Sequence, residues 1–274
     1  MKKELLHLEV NEQGGCQLSQ VVSYSIKNKV GWLTLDRPDQ LNAFTEEMRN
    51  EIQTFLKKAE ADPHVRCIVI TGNGKGFSAG QDLKDLDDRP DYGELLRKGY
   101  NPLIKQLSQL EKPIIAAING VAAGAGMSLA LACDFRVASE KASFIEAFIH
   151  IGLVPDSGSF YYLPRLVGHQ KALELFTLGE KITAKQAFDM GLLTKLTSSD
   201  AFLEETTAFA EKLAQLPTEA FGLIKRALKQ SWDSSLDEVL ELEAQAQRIA
   251  SQTADHQEGV AAFLEKRKPV FKGK

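Results

Sequence analysis

Residues 114 to 133 read IIAAINGVAAGAGMSLALAC, a window without one charge in a chain where 26% of the residues are charged. Such a stretch must leave water. Its length, close to the ~20 residues that span a bilayer, admits a membrane helix or a strand and helix buried in a large core. The composition favours the core. Alanine and glycine supply half of the window, Asn119 and Ser128 interrupt it, and Pro113 and Asp134 bracket it. Alanine and glycine are only weakly apolar on insertion scales, so the Gly120-to-Gly124 GxxxG pair does not outweigh this. The expectation is a buried strand followed by a buried helix, with no membrane partner.

The surrounding segments extend that reading to an α/β fold. RCIVIT, IIAAI and DFRVA are short, largely apolar runs of the kind found in parallel sheets covered on both faces. VVSYSIKNKVGWLTLD reads as two strands around a polar turn. TEEMRNEIQTFLKKAEAD reads as a helix capped by Thr45, with Met48, Ile52, Phe55, Leu56 and Ala59 on one stripe. From His169 onward the patterning is helical over 169–178, 183–190, 200–216, 218–231 and 235–252. This divides the chain into an N-terminal extension (1–20), an α/β core (21–195) and a helical C-terminal region (196–274).

Charge and cysteine usage exclude several functions. Lysine and arginine number 33 against 37 aspartate and glutamate, a formal net charge of −4, so no general attraction for nucleic acid is expected. Cys16, Cys67 and Cys133 are scattered, and the five histidines show no HxxxH spacing, so no metal site is predicted. The opening MKKELLHLEVNEQGG breaks into charges before any signal-like apolar run. A cytoplasmic location is the expectation.

Two glycine-rich loops carry candidate chemistry. TGNGKGFSAGQDL, residues 71 to 83, lacks the GK[ST] of a phosphate loop, and Phe77 stands where GxGxxG needs its last glycine. Its glycines either make a tight surface turn or let backbone N–H groups approach a ligand. NGVAAGAGMSLALACD places small residues where a helix begins, which either permits close helix packing or presents free N–H groups to a pocket. Two such loops could supply converging donors to an oxyanion. A third stretch, GLVPDSGSF at 152–160, sets Asp156 in apolar surroundings, as a helix cap or as an acid/base.

These motifs, LDRPDQLNAF, GKGFSAGQDL, KPIIAAINGVAAGAGMSLALACD, GLVPDSGSFYYLPRLVG and ITAKQAFDMGLL, occur in an order that resembles the crotonase, or enoyl-CoA hydratase and isomerase, superfamily from about residue 21 to 274. The resemblance implies a crotonase-like spiral of ββα repeats, a helical C-terminal trimerisation region, and a homotrimer or a hexamer built as a dimer of trimers. It also implies an acyl-CoA thioester substrate, with coenzyme A as part of that substrate and no separate cofactor. The thioester oxygen would be held by the peptide N–H groups of Gln81 and Ala125. Gly80, Gly124 and Leu83 would flank the site, and Asn42, Ala43, Ala79 and Asp82 the pantetheine. Arg37 and Lys272 are candidates for the CoA phosphates; a solvated basic tail is the alternative for KRKPVFKGK.

The reaction depends on which groups surround the acyl chain. The resemblance puts Ser128 and Phe148 where hydratases carry two water-activating glutamates, so hydration loses both groups. Asp156 falls where isomerase members place their acid/base carboxylate. One carboxylate can shift a double bond by removing a proton beside the thioester and returning it elsewhere. Phe148, Leu153, Val154 and Phe160 would raise its pKa. Glu146 is the rival base, or pairs with an arginine. At finer grain, YNPLIKQLSQLEKPIIAAINGVAAGAG, GLVPDSG and EGVAAFLEKRKPVFKGK resemble family isomerases that act on a ring epoxide. The alternatives are a fatty-acid enoyl-CoA isomerase or hydratase, a serine hydrolase using Ser128 with His150, a dehalogenase with Asp156 as nucleophile, and a silent acyl-CoA-binding subunit.

Overall fold

The computed structural model describes residues 21–85 and 91–274; the expected N-terminal extension, with Cys16, lies outside the described residues. Asn28 and Lys29 adopt left-handed backbone (φ 51° and 67°), which turns β1 (Val22–Lys27) back onto β2 (Val30–Leu35) as an antiparallel hairpin. Helix α1 (Glu46–Ala61) follows, with the Thr45 hydroxyl accepting from the Met48 N–H at 3.2 Å. Its buried face is Met48, Ile52, Leu56 and Ala59 as expected, but also Arg49, while Phe55 is only half-buried and stacks on Tyr24.

Next come β3 (Cys67–Gly72), β4 (Gly76–Ser78), α2 (Tyr92–Leu95), a single wide π-turn (Leu96–Tyr100), and α3 (Asn101–Gln109). They are followed by β5 (Ile114–Ile118), β6 (Val121–Ala123), α4 (Ala125–Ala132), β7 (Phe135–Ser139) and β8 (Ser143–Ile145). From β3 to β8 each turn sends its first strand to one sheet and its second to another. The large sheet runs β1-β2-β3-β5-β7-β10, parallel after the first pair, and the small sheet runs β4-β6-β8-β9. Here β9 is Ile182–Thr183 and β10 is Lys195–Thr197, so the last strand straddles residue 195. This stepped arrangement of paired strands and helices is the expected α/β spiral.

The uncharged window departs from the expected strand plus helix: it contains two strands and a short helix. The cause is Gly120, where a Cβ would stand 1.9 Å from the Lys75 carbonyl oxygen, so the chain breaks and turns against the neighbouring loop. Among the described residues no helix is long and apolar enough to cross a membrane.

The later helices are α5 (Ser159–Val167), α6 (His169–Leu178), α7 (Ala184–Asp189), α8 (Phe202–Leu213), α9 (Thr218–Ser231), α10 (Leu236–Ala250) and α11 (Ala254–Leu264). The sequence reading lacked α11. A short basic end hid it, although Thr253 caps the helix through the His256 N–H at 3.0 Å. Helix α10 has no buried residue.

Candidate active site

Where β4 and β6 end, their loops meet. Gly80 has φ of 90°, and a Cβ there would stand 2.8 Å from Ala123 O and 3.3 Å from Ala125 N, so only glycine allows the loops to close to this distance. Phe44 N donates to Gly80 O at 2.7 Å, and Asp82 N donates to Phe44 O at 3.0 Å. This parallel bridge holds Gln81 from one side and leaves its own N–H facing the other. Ala125 opens α4, and its N–H is a first-turn donor without an intrahelical acceptor. The glycines therefore serve close approach between loops and leave both expected amides without an acceptor among the described residues. Gly124, at φ 49° and ψ −123°, has a conformation that L side chains rarely adopt.

The side chain of Gln81 is also held. Its Oε1 accepts from Arg49 Nη1 at 2.8 Å and from the Tyr100 hydroxyl at 2.6 Å, and Arg49 lies over the Tyr100 ring at 4.7 Å. The π-turn ending at Tyr100 allows this, because Gly99 packs against the Arg49 guanidinium. Arg49 is 3% exposed, and its Nε finds no partner among the described residues. The sequence reading missed Arg49. The signal was its place three and seven residues before Ile52 and Leu56 on the buried stripe.

The flanking residues brace the loop. Arg37 Nη1 donates to Ala43 O at 2.6 Å and Nη2 pairs with Asp82 at 2.9 Å. Burial would raise the Asp82 carboxyl, but the Arg37 hydrogen bond and charge, with the Lys84 N–H, hold it below its ordinary value. Asn42 is wholly buried and donates to Asn73 O and Gly76 O while accepting from Arg37 N. Ala79 and Leu83 are exposed beside Gln81. Within one copy of the chain Lys272 is held away from this loop, so its expected role toward the CoA phosphates would be toward the ligand of a neighbouring copy. The tail is tied down by Asp255, which accepts from Lys272 N and Gly273 N, and by Arg66, which donates to Phe271 O. Arg66 precedes β3, at the end of that strand opposite the glycine-rich loop.

The later segments bring the carboxylates. Asp156 is not a cap: Gly158 precedes α5 with no side-chain capping bond, and Asp156 Oδ1 accepts from Ser157 Oγ at 2.8 Å. Burial raises its pKa above the usual carboxylate range, opposed by that bond. The expected apolar surround is only partly present. Val154 is 69% exposed, and Phe160, 56% exposed, turns outward to pack edge-on against Phe176 at 5.0 Å. Left-handed backbone at Ser157 and Gly158 reverses the chain and carries Phe160 away. The charge of Asp156 is felt at both Tyr100 and Glu146.

Glu146 pairs with no arginine, contrary to one expectation. Its Oε1 contacts Ser159 Oγ at 3.0 Å, Ser159 Oγ contacts Ser128 Oγ at 2.9 Å, and Ser128 Oγ reaches Gly124 O at 3.2 Å. Burial, against the Ser159 bond and with help from the Asp156 charge, pushes Glu146 up to about 8. Ser128 thus lies within a helix in a buried hydroxyl chain. His150 is exposed and lies against Gly179, so the hydrolase arrangement of Ser128 with His150 is absent. Phe148 is buried, and its ring edge would meet a Cβ on Gly124 at 3.8 Å. Among the described residues no group of His, Cys, Asp or Glu could hold a metal.

Residues 25–274 match the family model described as enoyl-CoA hydratase/isomerase. The chain is 42% identical to the 1,2-epoxyphenylacetyl-CoA isomerase of Escherichia coli K12, covering 91% of this chain and 97% of that protein. It is 34% identical to the trans-2-decenoyl-[acyl-carrier-protein] isomerase of Streptococcus mutans, covering 92% and 98%. A crystal structure of enoyl-CoA hydratase from Bacillus anthracis superposes with a TM-score of 0.87 at 34% identity, over 93% of this chain and 100% of that one.

Proposed function

The chain belongs to the enoyl-CoA hydratase/isomerase family, and from that premise we propose that it is an acyl-CoA isomerase acting through a thioester enolate, with 1,2-epoxyphenylacetyl-CoA as its substrate. The observation that carries the reading is the pair of unspent amides, Gln81 N–H and Ala125 N–H, together with a half-buried carboxylate, Asp156, whose charge is felt at the Tyr100 that holds Gln81. Removal of a proton next to the thioester sends an electron pair onto its oxygen. Two preorganised N–H donors stabilise that charge as it forms. Asp156, now protonated, returns the proton at another carbon, and the product has the mass of the substrate.

Ser128 and Phe148 support isomerisation over hydration. Neither can take a proton from water at neutral pH. The ring-epoxide substrate rests on similarity to the Escherichia coli isomerase. Coenzyme A enters as part of the substrate, and no further cofactor is proposed. The partner is further copies of this chain, as a trimer or a pair of trimers, and the location is the cytoplasm.

The test is incubation with a panel of acyl-CoA esters, including 1,2-epoxyphenylacetyl-CoA, in deuterated water. The expected result is deuterium uptake and an ultraviolet change without the mass gain of a water. A hydrated product or release of free CoA would overturn it. A second reading, a double-bond isomerase of open-chain enoyl thioesters, is favoured by the similarity to the decenoyl isomerase; it would be identified by turnover of trans-2 or cis-3 enoyl-CoA with the epoxide inert.

A further inference from the structure

The contacts joining Glu146, Ser159, Ser128 and the Gly124 carbonyl form an unbroken line of oxygens with separations of 3.0, 2.9 and 3.2 Å. Glu146 is 1% exposed, and both serines are at 0%, so water cannot complete a bond that the line itself leaves unmade. Two serine hydroxyls carry two protons, but the line has three gaps. With Glu146 ionised one gap has no proton. With Glu146 neutral, its O–H donates to Ser159, Ser159 to Ser128 and Ser128 to Gly124 O, and every gap is filled. The remaining oxygen, Glu146 Oε2, has no partner among the described residues. A neutral carbonyl tolerates that burial far better than half of a carboxylate does.

The far end of the line is Gly124 C=O, which belongs to the same peptide unit as the Ala125 N–H. A bond accepted at the carbonyl polarises the unit and strengthens the N–H as a donor. We propose that Glu146 is a positioning residue for the oxyanion site: through Ser159 and Ser128 it orders the hydroxyl protons toward Gly124 O and so tunes the Ala125 N–H that holds the thioester oxygen. This rests on the oxyanion reading given above. Loss of the Glu146 proton turns the line around: Ser159 then donates to the carboxylate, Ser128 donates to Ser159 across the shorter of its two contacts, and Gly124 O is left with the Ser128 N–H alone.

The raised pKa of Glu146, about 8, places the switch near neutral pH. The groups facing it are few. Asp156, on the loop before α5, adds a charge that raises it, and Ser159 lowers it. Strands β6 and β8 and helix α4 carry no charged residue. The cation of α5, Arg165, lies in its last turn over the Tyr161 ring.

The experiment is difference infrared spectroscopy of [1-¹³C]hexanoyl-CoA, which has no double bond to shift, bound to the protein across pH 6 to 10. The expected result is a thioester band below that of free ligand, moving partway back as pH rises through about 8. Ser128→Ala should abolish the pH step, whereas Glu146→Gln, whose amide donates into Ser159 at every pH, should keep the low position throughout. With reactive substrate, kcat of Ser128→Ala should fall about 2- to 20-fold with KM unchanged. A lowered band that ignores pH, or a pH step that survives in Ser128→Ala, overturns the role of Glu146. A band unshifted from free ligand at every pH instead overturns the oxyanion reading and this inference with it.

Discussion

Asp156 and Glu146 are two carboxyls whose surroundings set them apart: one shares a turn with Ser157, and the other ends a buried line of hydroxyls. Separated environments of this kind assign separate tasks. Asp156→Asn should keep the fold and acyl-CoA affinity while turnover falls about 10²- to 10⁴-fold, read by steady-state kinetics and ligand titration. Glu146→Gln should turn over near the wild-type maximum. The opposite pattern would make Glu146 the base. A base must be ionised to work, so kcat should rise with pH through the Asp156 pKa, a limb lying above the ordinary carboxylate range because burial raises it. Glu146 also affects stability. Its folded pKa of about 8 exceeds the unfolded value, so the folded state holds a proton that the unfolded state has released. Stability from this group is therefore full below the ordinary carboxylate pKa and is lost as pH rises toward 8. The Tm advantage of Glu146→Gln should be near zero at pH 4 and largest at pH 8 and above, by calorimetry. Sequence alone marked both residues but gave Asp156 a greasy pocket that the structure only half supplies. Two positive φ angles, which patterning does not reveal, turn Phe160 outward.

At the scale of elements, each strand pair ends in a loop whose glycine is there for closeness. Gly80→Ala puts a methyl group 2.8 Å from Ala123 O on a backbone of positive φ, and it should open the gap between the two amides. The expectation is a large loss of kcat in a protein whose far-ultraviolet circular dichroism is unchanged. Ala125→Pro deletes a donor outright and should cost about 10²- to 10³-fold. Gln81→Ala keeps the donor but leaves the buried Arg49 and Tyr100 without their shared acceptor. Its loss should fall first on stability, about 1–3 kcal/mol in denaturant titration. The strands of the large sheet were legible because burial on both faces makes them continuous apolar runs. The three-residue strands of the small sheet were not. Val121–Ala123 and Ser143–Ile145 are too short for any periodicity to register, and what fixes them is pairing across the sheet. Arg49 escaped because a charge on an apolar stripe is read as a break in it.

Taken whole, the chain exposes more apolar surface in its last third than one copy has use for. Leu228, Trp232, Leu236, Leu240, Phe263, Leu264 and Val270 are each more than half exposed, and α10 packs on α9 without burying a residue of its own. A cleft of about 960 Å³ between α3, α5, α9 and α10, lined by Ile104, Tyr161, Tyr162 and Leu242 along with polar and charged side chains such as Lys229, Asp237 and Glu241, touches neither Gln81, Ala125 nor Asp156. Surface of this extent is ordinarily covered by another subunit. Sedimentation should show a trimer or its multiple, and paired charges at Leu240 and Phe263 should dissociate it; a monomer independent of concentration would overturn the assembly. The helices after His169, α11 excepted, were legible from their periodicity, but which of their faces stay bare is a property of packing and was not. The stepped sheets have one further consequence. Ser78 and Ala122 are register partners, and Gln81 and Ala125 each follow their partner by three residues. The two donors are therefore matching landings on adjacent flights of one staircase, their separation gauged by the pitch between strands, about 4.8 Å, rather than by any property of the acyl chain. The proposed proton carrier, Asp156, belongs to the next flight up, so a descendant could be refitted for a different cargo by replacing that flight while the proposed handrail for the thioester stays where it is.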